Sequence, residues 1–293
     1  MTEDGGRVRV ERDVHYAGAG HPALVGDLYH PSSSEPAPAV LIVHGGAFKG
    51  GSRAALSHWG TWLAGQGFLA FSIDYTLAAH DRSSFPAAVD DARTAVEYLR
   101  ANAAELHIDP ERIAAMGCSA GATIAATLTL TRHGGAAGGV SDHGESDRGG
   151  SADVAVAIAV AGVYDLVEQW EHDQLFRPAD QQTEIYLGGT PMDARPRFYA
   201  ASPLVHASRQ NAAATRWLLA WGTADDVVSP EQSVVMGRHL NRAGATVRLA
   251  PIESAAHFFY LEGRGRAIDA TAPTFNGRLA ERILTFLRDW CGW

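Results

Sequence analysis

The pentapeptide Gly117-Cys118-Ser119-Ala120-Gly121 constrains this chain more than any other stretch. The apolar run RIAAMG (112–117) leads into it, and a segment of small residues follows from Ser119 to Leu130. A chain that leaves a buried strand and enters a helix within so few residues has no room for side chains. The two glycines remove Cβ atoms that would strike neighbouring backbone. Such a turn leaves Ser119 strained and exposed above the sheet. It also sits at a helix N-terminus, whose dipole and free N–H groups favour negative charge. Cys118, one position earlier, points inward and reads as a buried apolar filler rather than a rival nucleophile.

The remaining segments fit around that turn. Arg7 to Tyr16 alternates like a half-buried strand, and Leu24 to Tyr29 reads as its antiparallel partner. AVLIV (39–43) is apolar throughout, as a central strand covered on both faces must be, and it opens into the glycine-dense HGGAFKGG. The pattern predicts a helix over 54–64, a strand over 68–75, and a long helix opened by Pro86 with an acidic first turn. Further strands are predicted over 154–162, 216–222 and 246–252, with helices over 230–242 and 273–290. Residues 133–152 are rich in Gly, Ser and Asp and read as a long mobile loop, with a role as a lid left open. Residues 163–212 have weak periodicity and read as an excursion of short helices. The alternation predicts an α/β fold with a mostly parallel sheet, helices on both faces and the hairpin at one edge. It is expected to be one domain over 1–293, with 163–212 as a small cap insertion.

Composition narrows the partners. The chain has 293 residues and a net charge of −9, from 24 Lys and Arg against 33 Asp and Glu. No compact basic cluster offsets that balance, so neither nucleic acid nor anionic lipid is expected to bind. No apolar run is long enough to span a membrane and the first residues lack a signal-peptide core, so a cytoplasmic protein is expected. The two cysteines, Cys118 and Cys291, form no CxxC or zinc-ligand pattern. The oligomeric state is left open, a homodimer included.

A serine hydroxyl is a poor nucleophile at neutral pH and needs a base. Among 13 histidines, His257 in ESAAHFFY follows the last strand, on the same sheet edge as the Ser119 turn. A packed structural histidine is the competing reading. A base of this kind needs a carboxylate to hold its tautomer. WGTADDVVSP offers Asp225 and Asp226 after the preceding strand, and Asp225 is preferred because it comes first after the turn. The order Ser, Asp, His suits this architecture. Oxyanion stabilisation needs convergent N–H groups, expected from Gly46, Ala47 and Ala120. No G-x-G-x-x-G follows a strand, and Lys49 lacks a P-loop frame.

With these residues together, the chain resembles the α/β-hydrolase superfamily. Within it, the chain is similar to the esterase and lipase group with an HGG-type oxyanion loop, which includes acetyl esterases and kynurenine formamidase-like enzymes. The resemblance runs from about Val25 to Leu287. It rests on VLIVHGGAFKGG, FSIDY, FPAAVDDARTAVEYLRANA, IDPERIAAMGCSAGA, AVAGVYDL, ASPL (201–204), WGTADDVV and AHFF. It implies a nucleophile at Ser119, an acid at Asp225, a base at His257, and oxyanion donors from Ala120 and the loop after His44. Three positions depart from the group. Ala47 stands where a third glycine is usual, Thr76 replaces an arginine and removes a structural salt bridge, and Cys118 replaces an acidic residue.

The expected reaction is hydrolysis of a small to medium carboxylic ester through an acyl-enzyme, with no metal or organic cofactor. A formamide, a thioester or a biosynthetic intermediate would suit the same residues. A non-catalytic small-molecule receptor on the same scaffold is the reading from a different class. His44, Gly45, Phe48, Tyr164 and Phe258 are expected to line the substrate pocket. Trp170, Phe176, Phe198 and Tyr199 are expected either to wall it or to pack inside the cap.

Overall fold

The computed structural model describes residues 8–131 and 153–293, apart from 19, 20, 22, 34 and 180. The loop expected at 133–152 lies outside the described residues. Eight strands build one sheet: β1 (Arg9–His15), β2 (Val25–His30), β3 (Ala37–Val43), β4 (Leu69–Ile73), β5 (Ile108–Cys118), β6 (Val156–Val160), β7 (Arg216–Gly222) and β8 (Thr246–Ile252). Their order is β1-β2-β4-β3-β5-β6-β7-β8. β1 and β2 pair antiparallel, as do β2 and β4, and every pair from β4/β3 to β7/β8 is parallel. The expected hairpin thus forms the antiparallel edge of a mostly parallel sheet, the α/β-hydrolase fold. β5 is longer than the predicted 112–117 because Ile108 also pairs with Ala37 across a bulge.

The continuous apolar runs follow from two covered faces. Ala39, Leu41 and Val43 of β3 belong to one core, while Val40 and Ile42 belong to the other. Helix α1 (Ser57–Gly65) packs its Trp59 and Leu63 on the Val40 side. Two helices cover the Leu41 side, α2 (Ala87–Ala101) and, after the short α3 (Ala103–Leu106), α4 (Ala120–Leu130). Each fully buried leucine or isoleucine in these layers contributes about 2 kcal/mol. Between β6 and β7 the chain makes five short helices: α5 (Leu166–Phe176), α6 (Gln182–Leu187), α7 (Arg195–Ala201), α8 (Pro203–His206) and α9 (Arg209–Ala212). The last two helices are α10 (Pro230–Arg242) and α11 (Phe275–Thr285), and α11 continues as a π turn over Phe286–Trp290. Among the described residues no helix is long and apolar enough to cross a membrane.

Thr76 makes no ion pair where an arginine is usual, and Asp74 nonetheless has a cation. Arg53 supplies the pairing from the other side, with its guanidinium on Asp74 and Asp13 and its Nε 2.9 Å from Asp27 Oδ1. The Arg53 backbone N–H also donates to Asp74 Oδ1 at 2.6 Å. Asp27 is 2% exposed, and its other cation, Arg12, stands largely in solvent. Removing one partner of a buried ion pair is strongly destabilising, because the remaining charge is left without compensation. Arg53→Met is therefore expected to cost about 3 kcal/mol, read as a lower urea midpoint at neutral pH. An unchanged midpoint would show that Arg12 alone satisfies Asp27.

Candidate active site

Parallel strands end at one edge, and that edge gathers the predicted residues. Ser119 joins β5 to α4 with φ 53° and ψ −125°, a conformation that costs a non-glycine residue about 1–3 kcal/mol. The turn is held because the Ser119 N–H donates to Val160 O of β6 at 2.8 Å. A Cβ on Gly117 would lie 2.1 Å from Gly121 O, which explains the glycine at that position. Cys118 is fully buried, and burial pushes its thiol well above the ordinary range, so it carries no thiolate at neutral pH.

Asp225 and His257 reach the same point from β7 and β8. The turn after β7 aims Asp225 inward, with Oδ1 accepting from the N–H groups of Val227 (3.0 Å) and Val228 (2.9 Å). Its Oδ2 lies 2.8 Å from His257 Nδ1. A carboxylate only accepts, so Nδ1 carries the proton and Nε2 presents its lone pair. Nε2 stands 2.9 Å from Ser119 Oγ. Asp225 and His257 are buried and Asp226 is exposed.

The loop after β3 lies against this trio. His44 is buried, stacks on Tyr75 with ring centroids 4.4 Å apart, and places Nδ1 2.7 Å from Gly45 O. Tyr75 Oη donates to His44 O at 3.0 Å. Gly46 takes φ 134°, and the left-handed conformation continues through Ala47 (φ 55°) and Phe48 (φ 63°), neither of which is glycine. Lys49 and Gly50 N–H groups both donate to Gly46 O, which closes the loop into a tight turn. Ala120 is the first residue of α4, so its N–H has no acceptor within the helix.

A cavity of about 30 Å³ opens onto Ser119, bordered by Ala47, Phe48 and Ala120. Phe48 is held there by stacking on Tyr186, ring centroids 3.8 Å apart. Four of the expected lining residues are elsewhere. His44 and Gly45 lie behind the serine, where they brace the loop; a Cβ on Gly45 would come within 2.8 Å of Cys118 O. Tyr164 is buried in another layer with Trp217 and Met236, its backbone N–H donating to Gln232 Oε1 of α10 at 2.8 Å. Phe258 is exposed and meets the imidazole edge-on from outside, with centroids 4.9 Å apart. The aromatic wall is also absent from this cavity. Phe198 is a core residue, Trp170 packs against the same core, and Phe176 and Tyr199 face solvent. Gln169, Asp173, Arg177, Gln182 and Thr183 border the cavity instead, with Val163, Val227 and Val228.

The sequence reading also passed over Tyr260. It sits three residues after His257 on a 3₁₀ turn, where side chains three apart eclipse, and that spacing was the available signal. Its side chain partners Ser119, and burial pushes the phenol above the ordinary tyrosine range, so it stays protonated. Its carbonyl accepts from Trp59 Nε1 (2.9 Å) and lies 3.1 Å from His58 Nε2, which ties the His257 turn to α1.

Comparisons with known proteins agree with the fold. The family model BD-FAE matches residues 26–240. Esterase LipC of Mycobacterium tuberculosis is 30% identical over 87% of this chain and 59% of its own length. Esterase LipQ of the same organism is 28% identical over 94% of this chain and 61% of its own length. The chain thus spans about three fifths of these two relatives. Among solved structures, a thermophilic esterase of Thermogutta terrifontis superposes with a TM-score of 0.70 at 25% identity, covering 96% of this chain and 92% of that one.

Proposed function

The chain belongs to the BD-FAE family of α/β-hydrolases, and on that premise we propose that it is a serine hydrolase cleaving a short carboxylic ester through an acyl-enzyme. The observation that carries this reading is the pair of contacts at His257, 2.9 Å to Ser119 Oγ and 2.8 Å to Asp225. In the proposed cycle, His257 Nε2 takes the Ser119 proton as Oγ attacks the ester carbonyl. Asp225 stabilises the imidazolium that results, and the N–H groups of Gly46, Ala47 and Ala120 receive the oxyanion. The imidazolium then protonates the departing alcohol, and the same nitrogen activates water to release the acid. Residues 163–212 act as a small cap whose α5 and α6 close the acyl side. The small cavity suits an acyl group of a few carbons. The names of LipC, LipQ and the Thermogutta protein, all esterases, support an ester as the substrate.

A fluorophosphonate probe tests the nucleophile directly. The native chain is expected to gain one adduct mass, mapped to Ser119, and Ser119→Ala to gain none. Intact-mass analysis reads the result, and an unlabelled native protein would leave the hydrolase reading without its nucleophile. Cys118, buried and protonated, is expected to stay unmodified under the same conditions.

A further inference from the structure

Gln169 of α5 and Thr183 of α6 both border the cavity over Ser119, and both are buried, at 4% and 2% exposure. Gln169 Nε2 donates to Asp173 Oδ1 at 2.9 Å and to Val227 O at 3.0 Å. A carbonyl oxygen only accepts, so the Val227 contact fixes which way the amide points. Gln169 Oε1 is left without a partner among the described residues, and so is Thr183 Oγ1. Buried polar atoms are hydrogen-bonded in the great majority of proteins. Both atoms belong to residues that line the same cavity, so a ligand polar group seated there is the partner within reach of their missing bonds.

We propose that Gln169 and Thr183 recognise a hydroxyl on the acyl part of the ester. This rests on the ester-hydrolase reading and names the substrate it prefers. The hydroxyl proton is donated to Gln169 Oε1, which can only accept, and the hydroxyl oxygen accepts from Thr183 Oγ1. The acyl side is assigned by the remaining borders. The leaving oxygen must meet His257 Nε2, yet neither His257 nor Phe258 borders this cavity, whereas Ala47 and Ala120 do. The alcohol therefore departs on the imidazole side and the cavity receives the acyl group. The cavity is small, so the acyl group it receives is short, and 2- and 3-hydroxyacyl chains are the candidates.

Two pairs of ethyl esters test this, each exchanging a hydroxyl for a methyl: lactate against 2-methylpropanoate, and 3-hydroxybutanoate against 3-methylbutanoate. Initial rates are followed by pH-stat for the native chain, Thr183→Val and Gln169→Met. The native kcat/KM is expected to favour the hydroxy member of at least one pair by about tenfold or more, since a site built to hydrogen-bond rejects the analogue lacking the group. Each substitution is expected to bring that ratio below about threefold. The ratio does not depend on how much of a variant is folded, so a loss of stability cannot imitate the result. Equal rates within both pairs, or a preference that survives both substitutions, overturns the hydroxyl assignment. Labelling at Ser119 without turnover of any of the four esters overturns it as well. Absence of both labelling and turnover instead removes the hydrolase reading on which it rests.

Discussion

Asp225→Asn is expected to lower kcat for a short ester by about 10⁴-fold, while Asp226→Asn leaves it within about twofold. The native carboxylate serves two sets of donors at once. Oδ1 takes the Val227 and Val228 N–H groups, and Oδ2 takes the His257 Nδ1–H. An amide has one acceptor atom and cannot serve both. If its oxygen stays with the two backbone donors, its NH₂ faces Nδ1 and drives the imidazole into the other tautomer. Nε2 then carries the proton, and Ser119 loses its base. If the amide turns over, its NH₂ meets two backbone N–H groups, and the turn that aims it is disrupted. Asp226 is exposed and takes no part in these contacts. Both variants are measured by kcat for p-nitrophenyl acetate alongside their thermal midpoints. Equal losses, or a greater loss for Asp226→Asn, would reverse the assignment of the acid.

The parts of this site that are legible in the sequence are those fixed by local geometry. The strand–turn–helix at Ser119 needs glycine at 117 for lack of space, and the spacing alone conveys that. Asp225 and His257 follow strands that share a direction, so their meeting follows from the sheet order. The walls of the cavity depend instead on how α5 and α6 return to the sheet, which periodicity does not encode. Trp170 and Phe198 are large and apolar, so the sequence offers them as wall, but burial draws them into the core between the helices and the sheet. That leaves Gln169, Asp173 and Thr183 to face the site. A trace of this was available: Gln169 and Asp173 are four apart, the spacing at which amide and carboxylate meet on a helix. The loop after β3 was legible only in part. Two glycines announced a turn, but left-handed geometry at Ala47 and Phe48 is imposed by tertiary contacts such as the stack on Tyr186. Arg53 escapes for a related reason, since it lies outside the motif and meets Asp74 only through the tertiary fold.

Gly121→Ala is expected to leave little folded protein, and what folds is expected to label poorly at Ser119. The added Cβ would lie 2.1 Å from Val43 O and 2.5 Å from His44 O. Both are backbone atoms at the end of β3, a strand paired on both sides, so neither can swing away as a side-chain tip would. Overpacking a dense interior costs about 1–3 kcal/mol where side chains can shift, and more where only backbone can. Relief requires α4 to move away from β3. That movement separates the Ala120 N–H from the loop carrying Gly46 and Ala47, so stability and the proposed oxyanion donors fail together. Gly65→Ala provides the contrast. Gly65 ends α1 with nothing within 4 Å of its would-be Cβ, and alanine there is expected to add about 0.5–1 kcal/mol. Soluble yield, urea midpoint and probe labelling of the two variants separate the cases. A Gly121→Ala protein with a native midpoint and native labelling would mean that the close approach of α4 to β3 does not hold the nucleophile in place.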